Sequence, residues 1–156
     1  NLNAGRPGPV IDMLGQQYRR SVYIEVRRSR PLAVLEPFDL PTLSPNCNRR
    51  ASSTVAPQSL QMLNSQFITQ QSRHFADRLV RLSDSTEDAI RIAWRLVYSK
   101  EINDEECSEA LDFMTAMQKT LTTDYQNKGL KDDVQRDALS LFCQALISSN
   151  QFIYIE

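Results

Sequence analysis

From about residue 57 onward, apolar residues recur at three- and four-residue steps, with polar residues between them. That period belongs to helices that bury one face and wet the other. It predicts four helices. The first starts near Pro57, with Ser53 or Thr54 upstream as a cap, and runs to about Leu82. Its apolar face is Leu60, Leu63, Phe67, Phe75, Leu79 and Leu82. The second follows Ser85, where Glu87 and Asp88 suit the positive end of a helix dipole. It carries Ile90, Ala93, Trp94 and Val97 and ends near Ser99. The third opens at Asn103 with Glu106 three residues on, the spacing of a capping box, and runs toward Gly129. Its expected buried face is Cys107, Ala110, Leu111, Met114, Met117 and Leu121. The fourth spans about Asp132 to Ser149, with Val134, Ala138, Leu141, Phe142 and Ala145 on one face. The connections are short, so neighbouring helices should run antiparallel.

The first third has no such period. Residues 1–20 hold three of the four glycines and begin without a methionine, so they read as an irregular lead-in from a longer chain. In SVYIEV, residues 21–26, β-branched and aromatic residues alternate with polar ones, which suggests an extended strand. Its one candidate partner is FIYI, residues 152–155, and that pairing would bring the chain ends together. Pro31 can open a short helix, LAVLEPF, which Pro37 limits; residues 39–53 form a loop rich in turn residues. The expected fold is mainly α: a bundle of about four helices under an extended Arg/Pro-rich N-terminal arm, with room for one short strand pair. Residues 21–156 form a single domain, with arm and loop over 21–56 and helices over 57–156.

Length agrees with that division. A chain of 156 residues makes one domain and buries roughly 68–70% of its unfolded surface, so it folds without a metal or disulfide staple. The net charge of −1 is unevenly placed. Residues 1–50 carry eight arginines against four acids, and residues 51–156 carry ten bases against fifteen acids. The simplest meaning is that the basic arm docks on the acidic helices. A nucleic-acid surface needs a net basic face, which the chain as a whole lacks, so no nucleic-acid partner is expected. No run of eighteen apolar residues exists to span a membrane.

Most site chemistry has no residues to carry it. No glycine lies between Gly15 and Gly129, which removes the P-loop and the dinucleotide fingerprint. There is no CxxC and no HExxH, and His74 is the single histidine. No metal site and no cofactor are therefore expected. His74 lies mid-helix, where a solvated side chain is simpler than a catalytic one. Cys107 and Cys143 fall on apolar faces and read as buried small hydrophobes. Cys47 lies among arginines, which lower a thiol's pKa, although a structural thiol is the plainer reading. The acids at 104–106 and 132–133 are explained by helix starts.

The arm keeps two readings open. Arg27, Arg28 and Arg30 sit close in sequence to Glu36 and Asp39. The two carboxylates make either a catalytic acid/base pair or partners for the arginines in a structural network, since guanidinium groups hold carboxylates bidentately. Arg49 and Arg50 precede the first long helix and either grip an anion or sugar acid there or pair with acids of the helical part. The arginines are the candidate binding residues. Glu36 and Asp39 are the candidate catalytic pair of the alternative reading, an enzyme acting on acidic polysaccharide.

Three stretches carry a resemblance: SVYIEVRRSRPLAVLEPFD, CNRRASSTVAPQSLQMLNSQF and LFCQALISSNQFIYIE. They are similar to the patterns RRSxPLxxLExFDxP, CxRRxxSTxxPQALxxLN and LCxALLNSNEFxYxx. Those patterns mark the C-terminal domain of unknown function in large secreted planctomycete proteins that often also carry a cytochrome c-like domain. Its departures include Ser59, Ser148 and Gln151. The resemblance implies no established activity. It implies a periplasmic or extracellular location, and a non-catalytic module that docks to upstream domains of its own polypeptide or to a cell-envelope partner.

Overall fold

A computed structural model of the chain describes residues 21–23, 38, 55–129 and 133–154. Six α-helices follow in order: α1 (Val55–Leu63), α2 (Gln66–Leu82), α3 (Thr86–Tyr98), α4 (Asp104–Lys128), α5 (Val134–Ile147) and α6 (Asn150–Ile153). Short-range chemistry sets their ends. Ser85 accepts the Asp88 amide at 3.1 Å and starts α3. Asn103 accepts the Glu106 amide at 2.7 Å while the Glu106 carboxylate accepts the Asn103 amide at 3.2 Å, so the capping box expected from the spacing is formed. Asp133 caps α5 through the Arg136 amide. Gly129 closes α4 at φ 64°, a left-handed conformation that glycine adopts without a Cβ penalty.

The core lies among α2, α3, α4 and α5. Ala76, Leu79, Ile90, Ala93, Ala138 and Cys143 are its most enclosed members. Helix α5 is central and packs against α2 most extensively, and also against α3, α4 and α6. Met117 and Leu121 carry the α4 face outward as half-buried neighbours. Tyr125 Oη donates to Asp137 Oδ2 at 2.6 Å and ties the far end of α4 to α5.

The mainly α bundle holds, with three corrections in detail. The first predicted helix is two helices. Asn64 Nδ2 donates to the Leu60 carbonyl at 2.9 Å, and Ser65 accepts the Ile68 amide and caps a fresh start. The break resets the helical phase. Leu79 is therefore buried, whereas Leu60, Leu63, Phe67 and Leu82 of the expected face are exposed. On α5 the buried arc is Ala138, Leu139, Phe142, Cys143 and Leu146, while Leu141 and Ala145 face outward. A helix packed from several sides buries a wider arc than a two-layer pattern assumes, and the arc is centred elsewhere. No strand occurs among the described residues. Ser21–Tyr23 make a 3-10 turn, and Ser149 accepts the Phe152 amide at 3.3 Å, which winds Asn150–Ile153 into helix. The rest of the expected strand, residues 24–26, lies outside the described residues.

Candidate functional site

The candidate site is the corner where α1 turns into α2 and meets α6. Its walls follow from the break at Asn64–Ser65, which points Met62 of α1 and Phe67 and Ile68 of α2 into one angle. Phe152 and Ile153 of α6 close the opposite side. Phe38 is the described residue of the arm that reaches this place, and it lines the same concavity. The volume of this open concavity is about 380 Å³. Among the described lining residues none is charged; Gln61 and Ser65 are the polar ones. The described part of this surface is suited to take up apolar side chains.

Polar side chains frame the corner. Tyr154 Oη donates to Gln58 Oε1 at 2.5 Å, joining the α1 start to the α6 end. Ser59 Oγ donates to Asn150 Oδ1 at 3.4 Å beside it. Gln144 of α5 donates to the Leu63 carbonyl at 2.8 Å, which fixes the α1 end. Tyr98 of α3 meets Ser149 Oγ at 2.9 Å, which fixes the α6 start. Tyr98 also stands edge-on against Trp94, with ring centroids 4.8 Å apart. Burial holds the Tyr98 phenol above its usual pKa, partly opposed by the Ser149 hydrogen bond.

A second, smaller concavity of about 140 Å³ lies between the α2–α3 turn and the start of α5. Several of its polar groups are already engaged: Asp133 caps α5, Ser85 caps α3, and Arg136 pairs with Asp77 at 3.0 Å.

Arg27, Arg28, Arg30, Arg49 and Arg50, the alternative pair Glu36 and Asp39, and Cys47 all lie outside the described residues. His74 is exposed on α2. Cys107 and Cys143 are buried, as the apolar spacing predicts. Burial pushes the Cys143 thiol up to about 12, so it is not a nucleophile near neutral pH. Among the described residues no group of His, Cys, Asp and Glu is placed to hold a metal ion, and no helix is long and apolar enough to cross a membrane.

Periodicity alone did not find the frame of the corner. Gln58 is only 2% exposed, although a glutamine in an amphipathic helix reads as solvent-facing. The available signal was the motif: Gln58, Leu63, Ser149, Asn150, Phe152 and Tyr154 are all positions of the second and third patterns. The fold brings those two stretches together.

No curated protein and no solved structure matches the chain. A family model described as protein of unknown function (DUF1553) matches residues 10–114, which takes in part of the arm, α1 to α3 and the first part of α4. The chain therefore belongs to the DUF1553 family of proteins of unknown function.

Proposed function

We propose that the chain is a non-catalytic interaction module of an exported, multidomain cell-envelope protein, and that it docks to an upstream part of its own polypeptide through the α1–α2–α6 corner. The observation that carries this reading is the concavity whose described lining residues are uncharged, with Phe67 and Phe152 exposed at 45% and 44% on its wall. Exposed aromatic side chains around a concave apolar patch are the usual anchors of protein association. Phe38 supports an intramolecular occupant, because the N-terminal side of the chain reaches this corner there. The resemblance of the three motifs supports a parent among the large secreted planctomycete proteins that often also carry a cytochrome c-like domain. Buried thiols suit that setting, since Cys107 and Cys143 are shielded from an oxidising compartment. The arginines at 27, 28, 30, 49 and 50 serve the same docking as internal partners of carboxylates.

The test is a calorimetric titration of this chain with the separately produced upstream portion of the parent polypeptide. Replacing Phe67→Asp and Phe152→Asp together should weaken binding at least about tenfold, since hot-spot aromatics each cost about 2 kcal/mol or more. Helix content should stay unchanged, because both side chains are exposed. Unchanged affinity in the double variant refutes the proposal.

A further inference from the structure

The exposed charges of α2 and α4 are sorted by sign. Helix α2 carries Arg73, Arg78 and Arg81 against one acid, Asp77, and Arg136 of α5 holds that acid at 3.0 Å. Helix α4 carries Asp104, Glu105, Glu106, Glu109 and Asp112 before its first base, Lys119. Asp104 meets Arg91 at 3.8 Å, and Glu106 closes the capping box. Arg73, Arg78, Arg81, Glu105, Glu109 and Asp112 are left exposed, and among the described residues none of the six forms an ion pair. A helix turns about 100° per residue. Arg78 and Arg81 therefore stand opposite the buried Ser72, Ala76 and Leu79, with Arg73 on their flank. Glu105, Glu109 and Asp112 likewise stand opposite the buried Cys107, Ala110 and Met114. Each set spans about 10–12 Å along its helix. Both helices pack on α3 and α5, so the two charged faces point away from the core and one folded molecule cannot bring them together.

We propose that the arginine face of α2 docks on the acidic face of α4 in a second copy of this chain, head to tail. Charge complementarity selects this occupant: three unpaired cations on one face match three unpaired anions on the other, over the same length of helix. Because the two faces differ, each molecule in a pair keeps one of each, and association continues into a chain or closes as a ring. Exposed ion pairs are individually weak and are screened by salt, so the association is weak and belongs to low ionic strength. None of the six residues lines the α1–α2–α6 corner, so this inference does not rest on the docking proposed there.

Sedimentation equilibrium of the whole chain, up to the millimolar range, tests it. At about 10 mM ionic strength, where the Debye length is about 30 Å, the average mass should rise with concentration. At about 1 M, where that length is about 3 Å, the association constant should be at least about tenfold lower. One variant combines Arg78→Glu with Arg81→Glu, and a second combines Glu109→Lys with Asp112→Lys. All four side chains are exposed, so helix content should stay as it is. The first variant then has two acidic faces and the second two basic ones, and each alone should associate at least about tenfold more weakly than the unmodified chain. Mixed in equal amounts they should associate again, because the acidic α4 of the first meets the basic α2 of the second. That recovery also excludes misfolding as the cause of the loss. A single-chain mass at every concentration overturns the proposal. So does association that high salt leaves unchanged, a variant that associates as the unmodified chain does, or a mixture that fails to recover.

Discussion

Cys143 shows how far one side chain's chemistry follows from its place. Its position on an apolar helix face predicted burial, and the thiol is fully enclosed between α5 and its neighbours. Desolvation raises its pKa from 9.0 to about 12. A thiol held neutral in the folded state binds its proton more tightly there than in the unfolded chain. Stability is therefore fully present below pH 9 and is lost progressively between pH 9 and about 12, where the unfolded chain has released the proton and the folded chain has not. Tyr98, also raised by burial, acts in the same direction. Urea midpoints measured from pH 8 to 11 should fall above pH 9, and Cys143→Ala should flatten that fall; a profile as steep in the variant contradicts the assignment. Ser99 shows the converse, a residue whose conformation the sequence pattern did not announce. It ends α3 at φ 57°, where glycine is the usual occupant, and only its position after the last apolar residue marked it as a terminus.

At the scale of elements, legibility followed the range of the interactions involved. Helix starts at Ser85 and Asn103 and the stop at Gly129 are set within four residues, and the sequence shows them plainly. The break at Asn64–Ser65 is equally local. It was masked because Leu60, Leu63 and Phe67 keep helical spacing across it, although an Asn-Ser pair is a helix-capping signal. The buried arc of α5 depends on three partners that no local window contains. These outcomes predict different mutational costs for leucines that the periodicity treated alike. Leu79→Ala should destabilise the chain by about 2–5 kcal/mol, because it leaves a cavity in a closed core. Leu60→Ala, on the exposed side of α1, should change stability by no more than about 0.5 kcal/mol. Denaturant titration of the two variants separates them; equal costs would place Leu60 in a core that the fold does not give it.

For the molecule as a whole, the helical body was readable from the period of its apolar positions. The corner that gathers Phe38, Met62, Phe67 and Phe152 was not, because it joins parts of the chain more than eighty residues apart. Two motif stretches marked its frame without saying that they meet. The second concavity differs in that helix caps and an ion pair engage much of its polar lining. The described lining of the α1–α2–α6 corner is apolar apart from Gln61 and Ser65, and an apolar seat beside a residue of the chain's own arm favours an occupant from the same polypeptide. A photoreactive amino acid placed at Phe67 in the intact parent protein, with Glu109 on α4 as the control position, tests this most directly. The account predicts crosslinks from position 67, and not from 109, to peptides upstream of this chain in the same polypeptide. Crosslinks from both positions alike, or none from position 67, would contradict it.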